Sequence, residues 1–120
     1  MARTTRQVDG SDGEARAADH LERAGLRVLS RNWRCRTGEL DIVARDADGT
    51  LVFVEVRRRA SSAFGGAAAS ITPAKQLRLA RAAEFYRQVM RCTHLPCRFD
   101  VVLIEAGRLE WIRDAIRPGG

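Results

Sequence analysis

The stretch that most constrains the fold of this chain is residues 38–59, GELDIVARDADGTLVFVEVRRR. Residues 39–45 alternate polar and apolar side chains, which is typical of a β-strand. Residues 50–57 are rich in β-branched and aromatic side chains, the composition of a buried strand. Between them, residues 46–49 (Asp-Ala-Asp-Gly) fit a type I turn with Asp first and Gly fourth. The sequence therefore predicts a β-hairpin closed by a three-residue loop and a bulge.

The predicted turn fixes the register of the hairpin, because it makes position 46 face position 50. In that register Asp41 lies opposite Glu55, and Glu39 lies opposite Arg57. Directly opposed side chains are close, so two like charges at such a pair destabilise the sheet. The opposite face of the hairpin is apolar and is predicted to be core; it consists of Leu40, Ile42, Ala44, Val52, Val54 and Val56.

Two carboxylates that converge beside a core can be neutralised in two ways. A divalent cation is the first, and an all-oxygen pair suits Mg²⁺ or Mn²⁺. The second is a lattice of ion pairs in which Asp41 and Glu55 are balanced by the neighbouring Arg45, Arg57 and Arg58. The spacing of the residues leaves both alternatives open.

The order Asp41, then Glu55-Val56-Arg57 on the next strand, resembles the PD-(D/E)XK nuclease signature, with arginine in the lysine position. The wider string, GELDIVARD and LVFVEVRRR followed by AFGG and ITPAKQ, resembles the bacterial YraN family over about residues 11–113. This resemblance implies an α/β fold with a single mixed sheet flanked by helices. The expected core is αβββαβ and restriction-endonuclease-like, similar to that of Holliday-junction resolvases.

The remaining elements, taken in chain order, predict the same arrangement. A helix is expected from Glu14 to Ala24, a strand over residues 26–34, and an irregular loop over residues 60–71. A second helix is expected from Pro73 to about Met90, capped by Thr72, and strands follow over residues 98–105 and 109–113. Residues 1–10 are predicted to be a disordered basic arm, and residues 11–117 a single domain.

The nuclease resemblance implies a metal site held by Asp41, Glu55, the carbonyl of Val56 and, as in resolvase-like branches, Glu14 on the first helix. Glu14 in a first helical turn is equally good capping chemistry. Glu39 shares the face of Asp41, and it is either a further ligand or the partner of Arg57.

The catalytic set carried over from the resemblance is Asp41, Glu55 and Arg57, and Arg57 departs from the pattern. Arginine stays protonated in proteins, so it can act as a fixed cation but not as a base. Lys75, the single lysine beside 20 arginines, begins the second helix. It is either a migrated replacement for the missing lysine or a solvated helix residue.

These residues lead to two hypotheses of function. The first is a Mg²⁺-dependent endonuclease acting on DNA, such as branched or recombination intermediates. The second is a catalytically weak or inactive nucleic-acid-binding module with the same fold, which the arginine at position 57 favours. A protein-binding scaffold is a third alternative, but it leaves the carboxylate pair without an explanation.

The formal net charge of +6 favours a polyanionic partner, and we expect nucleic acid, DNA in particular. The predicted contacts to it are Arg34, Arg36, Arg58, Arg59, Lys75 and Arg78. Trp33 either stacks on an unpaired base or covers the core. The sequence contains no apolar run long enough for a membrane span and no apolar signal core, so we expect a cytoplasmic protein without a membrane partner. The oligomeric state is left open, with a dimer among the alternatives.

Overall fold

Two helices and five strands make up the part of the chain described by the computed structural model, residues 5–59 and 71–118, with side chains described for 13–58 and 71–118. In chain order they are α1 (Thr5–Arg23), β1 (Arg27–Cys35), β2 (Gly38–Arg45), β3 (Leu51–Arg59), α2 (Pro73–Val89), β4 (Cys97–Glu105) and β5 (Arg108–Ile116).

The strands form a single sheet in the order β1-β2-β3-β4-β5. Neighbouring strands are antiparallel except β3 and β4, which are parallel. A parallel pair needs a crossover connection, and α2 lies in that connection. The predicted α/β fold, a single mixed sheet with helices in the order αβββαβ and one added strand, is therefore confirmed.

Each face of the sheet packs against one helix, which gives two apolar clusters. The cluster beneath α2 contains Leu40, Val43, Leu51, Phe53, Leu79, Ala82, Tyr86, Val101 and Leu103. The cluster beneath α1 contains Ala17, Leu21, Leu26, Ile42, Ala44, Val52, Val54, Val102 and Ile104. The two faces of the central strands β3 and β4 are thus both buried, as their β-branched composition predicts.

The central hairpin has the predicted turn and register. The Asp46 N–H donates to the Thr50 carbonyl (2.9 Å), and the Gly49 N–H donates to the Asp46 carbonyl (2.9 Å). Gly49 has φ 93°, in the left-handed region that glycine adopts without a steric penalty. Ile42 pairs with Val54, as the predicted register requires.

One residue of the predicted core face lies on the other face. Leu40 packs with Val43 in the cluster beneath α2, whereas Ile42 packs beneath α1, so strict alternation of faces fails between positions 40 and 42. At the same level of the sheet, Asn32 of the neighbouring strand, which lies between the pairs Arg31–Ile42 and Trp33–Leu40, has φ 53°. A left-handed residue interrupts the period-two pleat.

Helix α1 begins at Thr5 rather than at Glu14, so the predicted helix start is wrong by nine residues. Residues 10–13, with glycine at both ends, lie inside the helix bounds. Assigning residues 1–10 to an arm and 11–117 to one domain stays a prediction. No helix in the described part of the chain is long and apolar enough to cross a membrane.

Helix α2 begins as the sequence predicts. The Thr72 hydroxyl accepts a hydrogen bond from the Lys75 N–H (3.2 Å), and Pro73 occupies the first turn. Met90 is 50% exposed because it is the C-cap residue, past the last turn that packs on the sheet. Of the predicted loop over residues 60–71, only buried Ile71 lies within the described residues.

Candidate active site

The candidate site lies where β2 and β3 separate. Their backbone pairing ends at Ile42 and Val54. Beyond that pair, β2 continues against β1, and β3 continues against β4. Asp41 and Glu55 are the first residues past the last pair, so both side chains stand at this fork, which we define as residues 41, 42, 54 and 55.

Beyond the last β2–β3 pair, the side chain of Asp41 rather than the backbone of β2 forms a hydrogen bond with β3. Asp41 Oδ2 accepts a hydrogen bond from the Val56 N–H (2.9 Å). Burial, a hydrogen bond with Glu55 and the Glu55 charge raise the pKa of Asp41 to about 9, and the charge of Glu14 adds to this; the Val56 N–H acts in the opposite direction. At neutral pH Asp41 is therefore protonated and shares its proton with the Glu55 carboxylate.

Glu55 is 7% exposed, and its cation comes from α2. Lys75 Nζ lies 3.1 Å from Glu55 Oε2, and the Lys75 side chain is 33% exposed. The contact has the distance of an ion pair but not the angles of a hydrogen bond, and Oε2 has no hydrogen-bond partner in the structure as described. A buried carboxylate oxygen is thus left with spare acceptor capacity.

A cleft of about 190 Å³ opens beside Glu55; it is lined by Gly38, Glu39, Glu55, Lys75, Arg78 and Leu79. Gly38 lies beside α2, because a Cβ at this position would be in ordinary van der Waals contact, 3.6 Å, with the Arg78 carbonyl oxygen. The cleft thus combines a buried carboxylate with cationic side chains on its helical wall.

Glu39 contacts Arg34 rather than the residue predicted to face it. Glu39 Oε2 lies 3.2 Å from Arg34 Nε, and these two residues are cross-strand neighbours in β1 and β2. Because the β2–β3 pairing stops at Ile42, Glu39 is not opposite Arg57 as predicted. Its role as a metal ligand stays a prediction.

The consecutive arginines that end β3 point to different faces. Arg57 is half-buried and pairs with Leu103, a residue of the cluster beneath α2, so it shares the face of Glu55. Arg58 lies on the α1 face, where a Cβ at Gly13 would come within 2.9 Å of its Cδ. The side chain of Arg59 lies outside the described residues.

Glu14 is half-buried on α1 and close enough to Asp41 for its charge to raise the pKa of that carboxyl. Among the side chains of residues 13–58 and 71–118, however, no group of three or more His, Cys, Asp or Glu could hold a metal ion. The structure brings Asp41 and Glu55 together, but it does not bring Glu14 or Glu39 into a cluster with them.

The carboxylate pair nevertheless fits a hard divalent cation. Asp41 holds a proton because burial and the neighbouring Glu55 raise its pKa, and Glu55 Oε2 is buried without a hydrogen bond. A cation that replaces the proton would relieve both features. The Val56 backbone is already at the site through its N–H, and all the donors are oxygen atoms, as Mg²⁺ and Mn²⁺ prefer.

The other predicted nucleic-acid contacts are distributed around the cleft. Arg34, Arg36 and Arg78 are exposed. Trp33 is half-buried, and its ring meets Tyr86 edge-to-face at 5.2 Å, so it covers the core. Lys75 is not a solvated helix residue, because it is paired with Glu55.

The contact of Lys75 with Glu55 is the feature of the site that the sequence predicted least well. A usable signal was present, since the Thr72-Pro73 cap puts Lys75 in the first turn of α2. What the sequence lacks is the angle at which α2 crosses the sheet. That angle is set by packing of Leu79, Ala82 and Tyr86 beneath the helix.

This fold and site define a class of α/β protein. Its members have a single mixed sheet in which two neighbouring strands separate beside an Asp–Glu pair. A family model described as "Uncharacterised protein family UPF0102" matches residues 13–104. The chain therefore belongs to the UPF0102 (YraN) family, which confirms the resemblance of its sequence.

Relatives and a solved structure were found for most of the chain. A UPF0102 protein of Cupriavidus pinatubonensis is 54% identical over 113 residues, covering 94% of this chain and 88% of that protein. A UPF0102 protein of Nitrosomonas eutropha is 53% identical over 112 residues, covering 92% and 94% respectively. A solved structure titled "Structure of EndoMS-dsDNA2 complex" is similar with a TM-score of 0.42 and 23% identity; the match covers 84% of this chain and 36% of that one.

Proposed function

We propose that this protein is a Mg²⁺- or Mn²⁺-dependent endonuclease that binds DNA and hydrolyses phosphodiester bonds at the fork of β2 and β3. The observation that carries the proposal is the position of Lys75, whose Nζ lies 3.1 Å from Glu55 Oε2, beside the carboxyl of Asp41. An acidic pair with a lysine next to it is the set of groups that the nuclease pattern requires. Here the lysine is supplied by α2 instead of β3.

Asp41, Glu55 and the Val56 carbonyl would hold the cation. When bound, the cation would polarise a phosphoryl oxygen and lower the pKa of a bound water. The Val56 N–H fixes the orientation of the Asp41 carboxyl, and burial of Glu55 keeps that side chain in one position. The chain thus contributes ligands that are already oriented before substrate binds.

Lys75 would hold the attacking water or a nonbridging phosphate oxygen. Its ammonium group has three rotatable donors and makes one short contact, to Glu55. Arg57, on the same face of β3, would act as a second, permanently charged group beside the phosphate. Neither role requires the arginine to take up a proton.

The proposed substrate is DNA, including branched or recombination intermediates. A net charge of +6 and the exposed Arg34, Arg36 and Arg78 around the cleft favour a phosphate backbone. These are contacts to phosphate, which position a nucleic acid without reading its bases. We therefore expect recognition of DNA structure rather than of sequence.

A second candidate is a nucleic-acid-binding module with little or no cleavage. The arginine at position 57 favours it, because the strand position that carries lysine in the nuclease pattern lacks one. The two candidates differ only in whether Lys75 performs the catalytic role of the strand lysine in the nuclease pattern. Binding of DNA is common to both.

The test is cleavage of labelled duplex, four-way-junction and single-stranded DNA with Mg²⁺ or Mn²⁺, using wild type and Asp41→Ala. Metal-dependent cleavage that Asp41→Ala loses supports the endonuclease. Salt-dependent binding without cleavage supports the binding module instead. A matched control is Asp46→Ala, which removes an acidic residue at the other end of the hairpin. Calorimetric titration with Mn²⁺ separates the metal site from turnover, and equal binding by wild type and Asp41→Ala would eliminate the site.

A further inference from the structure

Phe85 is a large apolar side chain that the fold leaves 49% exposed on α2. Its ring lies 6.0 Å from that of Trp33, tilted by 43°. Trp33 in turn meets the ring of buried Tyr86, and Tyr86 meets Phe53 at 5.9 Å in the core. Phe85 is therefore the outer end of a row of packed aromatic rings, which holds its position from below.

This exposed ring lies on the helix that forms one wall of the cleft. Gly38 of the cleft lies against Ala82, one turn before Phe85, since a Cβ at Gly38 would be 4.0 Å from the Ala82 Cβ. From Lys75 to Phe85 the helix advances ten residues, about 15 Å. That is the length of roughly four nucleotides of a stacked strand at about 3.4 Å each.

The surface between the cleft and Phe85 is complementary to a polyanion. Arg78 and Arg81 are exposed on α2, and Arg34 and Arg36 are exposed at the end of β1 and in the turn after it. Glu84, the acidic neighbour of Phe85, is paired with Arg87 at 3.1 Å. A phosphate backbone leaving the cleft along α2 would thus meet cations on the way to an aromatic ring.

We propose that Phe85, supported by Trp33, is a stacking platform for an unpaired base of single-stranded DNA whose backbone passes over Arg78 into the cleft. The proposal rests on the proposed function, because it takes the cleft as the place where the phosphodiester lies. Every base has a π-face, so stacking on an aromatic side chain binds single strands without selecting sequence. It would give the protein a preference for DNA with an unpaired segment over continuous duplex.

The closing experiment measures binding without turnover. Fluorescence anisotropy in EDTA follows labelled oligothymidylate of about twelve nucleotides, a length within the range of small single-strand sites. A second probe is an oligonucleotide of equal length built from abasic sites, which has the same phosphates but no bases. The variants are Phe85→Ala and, as matched control, Leu77→Ala, an apolar residue of the same helix that is 50% exposed and has no π-face.

We expect Phe85→Ala to weaken oligothymidylate binding about tenfold or more, the usual loss for one stacked base, with unchanged binding of the abasic probe. Leu77→Ala should match wild type on both probes. Thermal unfolding checks that each variant is folded, and Phe85→Tyr, which keeps a π-face, should restore binding.

Four outcomes overturn the proposal. Equal oligothymidylate binding by wild type and Phe85→Ala would show that Phe85 is not a stacking platform, and it would leave the proposal of DNA binding at the cleft standing. Equal losses on both probes show that Phe85 acts on the phosphate surface and not through a base. A dimer of wild type that Phe85→Ala converts to monomer in light scattering shows that a second copy of this chain covers the ring. No binding of either probe at low salt by wild type overturns the proposed function as well.

Discussion

Lys75 Nζ and Glu55 Oε2 lie 3.1 Å apart, although one residue is in the first turn of α2 and the other is on β3. The ion pair joins the helix to the fork at a carboxylate that is almost fully buried. Removing one partner of a buried pair leaves an uncompensated charge, so loss of Lys75 would leave the Glu55 carboxyl without its cation. The contact therefore links the first turn of α2, which is held in place by its packing on the sheet, to the carboxyls of the candidate site.

Replacing Lys75 by Ala should separate metal binding from catalysis. The variant loses a cation beside Glu55, so its affinity for Mn²⁺ should equal or exceed that of wild type. Cleavage should fall by roughly 10²–10³, the loss typical of one preorganised charged donor. Calorimetry and single-turnover cleavage at saturating Mn²⁺ measure the two effects. Arg23→Ala, which removes an exposed arginine of α1 that pairs with Asp19, is the control for a generic loss of charge. A fall in Mn²⁺ affinity would show that Lys75 is only a structural support.

The shared proton at the fork predicts a pH dependence of stability. Burial and the neighbouring Glu55 raise the pKa of Asp41 from 3.8 to about 9, with a further contribution from Glu14; Lys75 is the cation on the other side of Glu55. Between about pH 4 and pH 9 the folded state thus keeps a proton that the unfolded state releases. Its contribution to stability is complete below pH 4 and is lost as the pH rises towards 9.

Urea unfolding between pH 5 and pH 8 measures this effect. The free energy of unfolding of wild type should decrease with pH more steeply than that of Asp41→Asn, whose amide does not titrate. Asp48→Asn is the control, because hydrogen bonds donated by Thr50 lower the pKa of Asp48, so this carboxyl titrates below the measured range. Parallel slopes for wild type and Asp41→Asn would contradict the shared proton.

Local sequence signals were enough to predict most of the fold. The hairpin register followed from Asp46 and Gly49, whose turn hydrogen bonds are present, and the start of α2 followed from the Thr72-Pro73 cap. These predictions succeeded because each depends on residues close together in the chain. The predicted partners Asp41 and Glu55 meet for the same reason, since they belong to one hairpin.

Features set by distant contacts could not be predicted in this way. The face of Leu40 changes at the level of the left-handed Asn32 in the neighbouring strand, and the ion pair of Glu55 depends on the angle at which α2 crosses the sheet. Glu39 was assigned to Arg57 by extending the hairpin register past the point where β2 leaves β3 for β1. In each case a third element decides the contact.

Asp100 illustrates a buried charge that sequence reasoning passed over. It is 0% exposed within β4, and it accepts hydrogen bonds from Trp111 Nε1 (2.9 Å), the Asp114 N–H (2.8 Å) and Arg98 Nε (3.1 Å). Arg98 also reaches Asp46 at 3.0 Å, which ties β4 to the turn of the hairpin. The signal in the sequence was a single Asp inside the apolar run FDVVLI.

Asp100→Ala should destabilise the protein by about 3–5 kcal/mol, because it leaves the half-buried side chain of Arg98 with part of its charge uncompensated and removes acceptors from two further donors. Urea unfolding at pH 7 measures the change. Glu110→Ala, at an exposed position of β5, should stay within about 0.5 kcal/mol of wild type. A loss below about 1 kcal/mol for Asp100→Ala would mean that water replaces the carboxylate.

The faces of Arg78 and Arg58 predict unequal effects on DNA binding. Arg78 lines the cleft on the α2 face of the sheet. Arg58 lies on the opposite face, against Gly13 of α1. Arg78→Glu should lower affinity for duplex DNA and flatten the slope of log affinity against log salt by about 0.9 for each phosphate that the variant no longer neutralises. Arg58→Glu should change both quantities less. Anisotropy titrations over a series of salt concentrations test this, and a larger effect at Arg58 would place the binding surface on the α1 side.

The last prediction concerns which cation serves the candidate site, Arg57 on β3 or Lys75 on α2. Both lie on the α2 face of the sheet, and Lys75 makes the 3.1 Å contact with Glu55. If Lys75 replaces the missing strand lysine, Arg57→Lys should retain or raise cleavage, and Arg57→Ala should lower it because one fixed charge beside the phosphate is removed.

The double variant decides between the two positions. Arg57→Lys in a Lys75→Ala background restores a lysine at the strand position of the nuclease pattern, so it should recover part of the activity that Lys75→Ala loses. Arg57→Ala in the same background should not. Single-turnover cleavage at saturating Mn²⁺ measures wild type, the three single variants and the two double variants. The role assigned to Arg57 fails if Arg57→Ala cleaves as fast as wild type. A wild type without cleavage whose Arg57→Lys variant is active would instead mean that the metal site is intact and that Lys75 does not substitute for the strand lysine.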